Sequence, residues 1–174
     1  MRKGIVWFRN DLRLTDNEAL YHASRECSEL ILLYCIDPRH FGQSPFGMRK
    51  TGQHRARFLI ESLEVLQKNL KAIGGHLIIR NGKPEEVIPE LFLKYGMDAV
   101  YFHEEVTREE IDVEEALEEN LPDGSLQAFW GSTLFHYDDL PFGIENFPKV
   151  FTAFRKKVEN YSAIRMVYPQ PESL

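Results

Sequence analysis

Five short apolar segments alternate along the chain with longer amphipathic ones, and this alternation restricts the fold more than any other feature. The apolar segments are nearly continuous in hydrophobic residues, which is typical of parallel β-strands buried on both faces. They are residues 4–8, 30–36, 76–80, 98–103 and 125–130. This order predicts an α/β fold: a doubly wound, five-stranded parallel Rossmann-like sheet flanked by helices.

Two of the amphipathic segments begin with the spacing of a capping box. Thr15 precedes Glu18 by three residues, and Thr107 precedes Glu110 in the same way. In a capping box both side chains accept hydrogen bonds from free backbone N–H groups at the start of the helix. We therefore expect helices to start at these two positions.

The remaining helices are predicted from proline, glycine and apolar spacing. Pro84 suits a first helical position, and Gly96 suits the end of the same helix. The longest predicted helix covers residues 53–72, where apolar residues recur at spacings of three and four. A last helix is expected near residues 149–160.

The order of the strands predicts where a ligand would bind. Right-handed crossovers leave few topologies, and the simplest is strand order 3-2-1-4-5. In such a sheet the loops after strands 1 and 4, residues 9–14 and 104–106, diverge and leave a crevice. Glu105 lies there, and its carboxylate is able to accept hydrogen bonds from the N–H groups of a heterocycle. A helix cap or a loop salt bridge explains the same residue equally well.

Composition excludes several classes of protein. A length of 174 residues indicates one domain. The net charge is −6, from 21 basic and 27 acidic residues, so avid nucleic-acid binding by this chain alone is not expected. Only two cysteines, no apolar run of about 18 residues and no signal-peptide pattern together predict a cytoplasmic protein without a membrane span.

The common nucleotide and metal motifs lack their essential residues. No glycine occurs in residues 9–14, where a dinucleotide fingerprint would lie. Gly42 and Gly47 have P-loop spacing, but Met48 and Arg49 stand where lysine and serine or threonine are needed. The histidines show no paired ligand spacing, so no metal site is expected. A strand-end histidine such as His103 is more typical of a packed, hydrogen-bonded residue than of a ligand.

Two long motifs resemble the photolyase/cryptochrome family, and its DASH branch in particular. Residues 7–20 read WFRNDLRLTDNEAL, which resembles the family's opening motif W-F-R-x-D-L-R-x-x-D-N-x-A-L. Residues 129–142 read FWGSTLFHYDDLPF, which resembles the DASH branch. The similarity extends over essentially the whole chain.

The resemblance implies a division of the chain and a function. It implies that residues 1–166 form the family's N-terminal α/β domain and that residues 167–174 begin an interdomain linker. The larger helical domain, which holds FAD and the damaged-DNA pocket, is then outside this chain. The implied role is light harvesting for a blue-light-dependent DNA-repair or photoreceptor protein, with no catalysis by this chain alone.

The resemblance also implies a pigment and its contacts. The antenna chromophore of the family is commonly methenyltetrahydrofolate, and Glu105 matches the antenna-contacting carboxylate. His40 and Arg49 lie in the loop that borders the antenna cleft in relatives. Residues expected to serve structure and domain docking are Arg9, Asn10, Asp11 and Arg13. Because the helical domain supplies the other wall of the cleft, we expect this chain alone to bind folate weakly or not at all.

Two other functions remain open. In the first of these functions, the chain is an interaction module that pairs with a separate flavin-binding helical domain, or with a second copy of itself, through the exposed domain interface. In the second it is a free-standing small-nucleotide binder of the stress-protein type, which the missing glycine loops disfavour.

Overall fold

The computed structural model describes residues 1–174, apart from the side chain of Ile144. The strands are β1 (Arg2–Phe8), β2 (Cys27–Ile36), β3 (Leu77–Asn81), β4 (Ala99–His103) and β5 (Leu126–Phe129). The helices are α1 (Glu18–Glu26), α2 (Gln53–Ala72), α3 (Pro84–Tyr95), α4 (Arg108–Asn120) and α5 (Phe151–Tyr161). Short 3-10 helices occupy Pro38–Phe41, Tyr137–Asp139 and Ile144–Asn146.

The sheet has the predicted topology. Its strands are all parallel and lie in the order β3-β2-β1-β4-β5, which confirms the α/β fold and the position of the switch point. β1 pairs with β4 from Gly4 opposite Ala99 to Val6 opposite Tyr101. The loops that follow these two strands therefore leave the same edge of the sheet side by side.

A hydrophobic layer covers each face of the sheet. On one face, α3 and α4 pack on residues such as Ile5, Leu33 and Phe102. On the other face, α1 and α2 pack on residues such as Phe8 and Tyr101. The two layers account for the continuous apolar character of β1 and β4, because successive side chains of a strand point to opposite faces.

One strand differs from its prediction. β3 was expected to be buried on both faces, but only Leu77 is buried, while Ile78 and Ile79 are 36% and 41% exposed. β3 is the first strand in the sheet order, so it has a neighbour on one side only. The apolar sequence identified a strand correctly but did not reveal that the strand lies at an edge.

The predicted capping boxes are wrong in detail. α1 begins after Asn17, not after Thr15: the Asn17 side-chain oxygen accepts a hydrogen bond of 2.9 Å from the N–H of Leu20. The Asn17 amide nitrogen donates to Asp11 Oδ2 at 3.0 Å, which fixes the orientation of this cap. Thr107 does occupy the cap position of α4, but its side chain makes no capping hydrogen bond.

The other helices lie close to their predicted positions. α2 covers residues 53–72 as expected. α3 begins at Pro84 and is capped at its end by Gly96, whose φ of 60° is a left-handed conformation that favours glycine. α5 was expected near residues 149–160 and is found at Phe151–Tyr161.

The segment after α5 packs back against the domain. The N–H of Asp16 donates to the carbonyl of Tyr168 at 2.8 Å, and the N–H of Leu174 donates to the carbonyl of Ile73 at 2.8 Å. Pro171 is buried. The assignment of residues 167–174 to an interdomain linker stays a prediction. Of the described helices, none is long and apolar enough to cross a membrane.

Candidate functional site

The loops after β1 and β4 meet at the carboxyl edge of the sheet. Asn10 Nδ2 donates a hydrogen bond of 2.8 Å to Glu105 Oε1, which joins the two loops across the predicted crevice. Glu105 is half-buried. Its second carboxylate oxygen accepts no hydrogen bond from the described residues, so it is available to a ligand.

A buried pair lies directly below this contact. The His103 ring nitrogen Nδ1 is 2.6 Å from Asp11 Oδ2, and both residues are buried. Asp11 also accepts from the N–H of Arg9 at 2.7 Å and from Asn17 Nδ2 at 3.0 Å. Burial by itself raises the pKa of Asp11, but the hydrogen bond and charge of His103, with the backbone N–H of Arg9, outweigh it and lower the pKa. His103 is thus a hydrogen-bonded interior residue.

Arg9 positions the backbone of the β4 loop. Its guanidinium stacks on the Trp7 ring at 4.4 Å, donates to the carbonyl of His103 at 3.1 Å and forms an ion pair with Glu114. Glu114 in turn accepts a hydrogen bond of 3.1 Å from the N–H of Glu105. Glu105 is therefore fixed at its backbone by Glu114 and at its side chain by Asn10.

The loop after β5 covers the buried pair. A Cβ at Gly131 would lie 2.5 Å from the His103 ring, so only glycine lets the loop pass this close. Ser132 Oγ lies 3.5 Å from the carbonyl of Glu104, and Trp130 Nε1 donates to Thr133 at 2.7 Å. The sequence did not mark Gly131 as a site residue, although the glycine directly after a strand was a usable signal.

Glu104 is a half-buried carboxyl group at the same loop. Burial, together with the nearby Glu114 carboxylate, raises the pKa of Glu104. A raised pKa brings a carboxyl group closer to accepting a proton near neutral pH. Glu104 and Glu105 thus place two adjacent carboxyl groups at one edge of the crevice.

The loop between β2 and α2 approaches the site from the side. His40 is exposed in the 3-10 helix Pro38–Phe41, and its carbonyl accepts from Thr51 Oγ1 at 2.7 Å. Lys50 Nζ donates to the Glu109 carboxylate at 2.6 and 2.7 Å, which ties this loop to the first turn of α4. The hydrogen bond from Lys50 and its charge lower the pKa of Glu109, and the charge of His40 makes a smaller contribution in the same direction. His40 therefore lies near the start of α4, the helix that follows Glu105.

Arg49 lies beside a separate depression of the same loop. This depression has a volume of about 590 Å³ and is lined by Phe41, Gly42, Gln43, Arg49, Thr51, Gly52, Gln53 and Ala56. Within the described residues, Arg49 forms no ion pair with Glu105. The structure thus brings the loop of His40 and Arg49 to the start of α4, but it does not join these two side chains to Glu105 by direct bonds.

The four residues predicted at a domain interface have different environments. Arg9 and Asp11 are enclosed and bonded within this domain, and Asn10 bonds to Glu105. Arg13 is more exposed and donates to the carbonyl of Asp16 at 3.0 Å. Their contact with a second domain stays a prediction. Among the described residues, no cluster of histidine, cysteine and acidic side chains has the geometry of a metal site.

The fold and the two sequence motifs define an N-terminal α/β domain of the photolyase/cryptochrome class. Residues 4–172 match the DNA photolyase family, and the chain belongs to that family. Cryptochrome DASH of Gloeobacter violaceus is 48% identical over 98% of this chain and 34% of its own length. The chain spans about one third of the length of the curated relatives it matches.

Solved structures show the same fold. The cryptochrome of Synechocystis sp. superposes on the whole chain with a TM-score of 0.95 at 41% identity, covering 37% of that protein. An archaeal photolyase from Sulfolobus tokodaii superposes on 98% of the chain with a TM-score of 0.81 at 28% identity, again over 37% of its length. These matches confirm the resemblance that the sequence motifs carried.

Proposed function

We propose that this chain holds a pterin antenna chromophore, of which methenyltetrahydrofolate is the expected example, and so harvests blue light for a flavin. The observation that carries the proposal is the half-buried Glu105 carboxylate at the switch point, fixed by Asn10 and Glu114 with one oxygen unbonded. A fixed carboxylate binds a ring N–H more strongly than a mobile one, because less conformational entropy is lost on binding.

The residues around the crevice suit the chemistry of a folate. Glu105 would accept hydrogen bonds from the N–H groups of the pterin ring. Arg49 and His40, on the neighbouring loop, are exposed and suited to the anionic end of such a ligand. When bound, the pigment absorbs near-ultraviolet and blue light. The chain's own residues would orient the pigment and provide one wall around it.

Light-harvesting cofactors occur among proteins of this fold. The archaeal photolyase that superposes on this chain was solved with two FAD molecules, which implied a novel light-harvesting cofactor in that protein. The chain matches only about a third of the length of its relatives. We therefore expect this domain, which supplies one wall of the cleft, to bind the pigment with weak affinity.

Folate titration tests the proposal. We expect the near-ultraviolet absorption of methenyltetrahydrofolate to shift on addition of the chain, and the affinity to fall about tenfold or more in Glu105→Gln, because a charge-assisted hydrogen bond is lost. Glu118→Gln, at an exposed position of α4, is the matched control and should bind like the unmodified chain. Equal binding by Glu105→Gln and the unmodified chain would reject the antenna role. The same conclusion follows if the unmodified chain causes no spectral change even at folate concentrations that saturate a weak site.

A second function is supported by an exposed apolar surface on and around α5. Its side chains are Phe147, Val150, Phe151, Tyr161, Ile164, Met166 and Val167. Several large exposed apolar side chains within one short segment are typical of an interaction site. The occupant that fits best is a separate flavin-binding domain, because the relatives continue for about twice the length that this chain matches.

Mixing experiments test this pairing. The remaining two thirds of the Gloeobacter relative, added to this chain, should form a complex measurable by light scattering. Phe151→Asp should abolish the complex, whereas Leu93→Asp, an equally drastic change on the exposed side of α3, should leave it intact. Separate elution of the unmodified proteins, or equal loss with both variants, counts against the pairing.

A further inference from the structure

The outer edge of β3 is an unpaired strand edge. β3 is the first strand of the sheet and pairs only with β2. Ile78 and Ile79 on this strand are exposed. The charged residue of the strand, Arg80, donates a hydrogen bond to Glu90 of α3. Edge strands of stable monomers usually carry charges, proline or a covering segment, because free N–H and C=O groups otherwise pair with another strand.

A groove runs between this edge and α2. It has a volume of about 540 Å³ and is lined by Ile36, Ile60, Leu63, Glu64, Gln67, Lys68, Lys71 and Ile79. The apolar side chains form its floor, and the charged side chains of α2 form its rim. An apolar floor with a charged rim is the usual composition of a protein–protein interface.

The charges on the rim change sign along α2. After Arg55 and Arg57 near the start of the helix, acidic Glu61 and Glu64 precede basic Lys68 and Lys71. Glu64, Lys68 and Lys71 line the groove, and Glu61 lies next to it along α2. Within the described residues, Glu64, Lys68 and Lys71 take part in no ion pair, although Glu64 and Lys68 are one helical turn apart. Glu61 bonds to Arg57 at 2.7 Å. Three of these four charges are therefore available to a partner.

We propose that a second copy of this chain docks on this edge, with β3 antiparallel to β3 and α2 antiparallel to α2. A two-fold axis near Leu66 would place Glu64 of one copy opposite Lys68 of the other. The same axis would place Glu61 opposite Lys71, because the members of each pair are equally far from Leu66 along the helix. Every acidic residue of the rim then faces a basic one.

The charge order favours a second copy over other occupants. A two-fold interface is isologous, so one surface must be complementary to itself, and the stretch of α2 from Glu61 to Lys71, acidic first and basic after, meets this condition. A nucleic acid or a membrane surface requires charge of one sign along the contact. Ile79, the middle residue of β3, lines the same groove as the α2 residues on either side of Leu66.

Sedimentation equilibrium of the 174-residue chain tests the dimer. We expect reversible dimerisation and a dissociation constant about tenfold higher in Glu64→Lys, since two exposed attractions become two repulsions. The double variant Glu64→Lys, Lys68→Glu should restore most of the lost affinity, because the exchanged charges again oppose each other. Ile79→Lys should abolish dimerisation by placing a charge on the apolar floor.

Glu118→Lys on α4 is the matched control, and circular dichroism verifies that each variant is folded. A chain that stays monomeric at every concentration overturns the proposal. A dimer that is unaffected by both Glu64→Lys and Ile79→Lys also overturns it, because another surface then holds the copies together. Neither result depends on whether the chain binds folate.

Discussion

Asp11 illustrates how single residues hold the crevice together. Its carboxylate is buried and accepts hydrogen bonds from His103, from the backbone of Arg9 and from the side chain of Asn17. An ionised carboxylate only accepts hydrogen bonds, so these three donors satisfy it without water. Through these contacts Asp11 links the end of β1, the end of β4 and the start of α1.

Replacing Asp11 should destabilise the domain strongly. We expect Asp11→Asn to lower the free energy of unfolding by about 3 kcal/mol at pH 7, because a neutral amide leaves a buried donor unpaired. Urea denaturation measures the change. Asp16→Asn, at an exposed position that already has a φ of 55°, is the control and should have little effect.

The same variant has a defined pH dependence. The pKa of Asp11 is lowered in the folded state, so its contribution to stability is complete above the unfolded pKa of about 4 and is lost as pH falls through the folded value. The difference in stability between the unmodified chain and Asp11→Asn should therefore shrink below about pH 4. A difference that stays constant down to pH 3 would show that the carboxylate is not held in its ionised form.

At the residue scale, only part of the site was predictable from the sequence. Glu105 was found because its position after a buried strand places it at the sheet edge, whatever its partners are. The pairs Asp11 with His103 and Arg9 with Glu114 were not, because their members are 92 and 105 residues apart and no periodic pattern relates them. Long-range contacts of this kind are set by the folded chain as a whole.

At the element scale, strands were predicted better than their surroundings. β3 was recognised from its apolar residues, but whether it lies inside or at the edge of the sheet depends on which strands pair. The start of α1 was placed at Thr15 from the capping-box spacing, whereas Asn17 caps the helix by accepting from the N–H of Leu20 while its amide nitrogen donates to Asp11 in the loop after β1. Local signals predicted elements; tertiary contacts decided their ends and exposure.

The loop after β5 provides a prediction at the element scale. We expect Gly131→Ala to cost about 2 kcal/mol, because the added methyl group would displace the buried His103 ring. Gly42→Ala is the control: its nearest atom to a new Cβ lies at an ordinary 3.6 Å, and its φ of −74° suits alanine. Equal unfolding midpoints of both variants in guanidinium chloride would mean that this loop does not rest on His103.

At the scale of the whole molecule, the segment after α5 connects opposite parts of the domain. Tyr168 packs its ring on Tyr21 at 5.1 Å, and its hydroxyl donates to Glu18. The pKa of Tyr168 is raised to about 12, mainly by this hydrogen bond to Glu18 and secondly by burial. The segment then reaches Ile73, between α2 and β3.

Two substitutions at Tyr168 separate packing from hydrogen bonding. Tyr168→Phe should lower the free energy of unfolding by about 1 kcal/mol, because one hydrogen bond is lost. Tyr168→Ala should lower it by about 2 kcal/mol or more, because ring packing is lost as well. Thermal unfolding followed by circular dichroism measures both, and unchanged melting temperatures in both variants would mean that the segment is not docked in solution.

Both chain ends lie beside the amino-terminal ends of the β-strands. β1 starts at Arg2, and Leu174 bonds to Ile73 beside the start of β3, whereas Glu105 follows the opposite end of β4. A fluorophore or an immobilisation tag fused to either end therefore starts across the sheet from Glu105. Such fusions suit surface-based and energy-transfer measurements of pigment capture, because they leave the entrance to the crevice unobstructed.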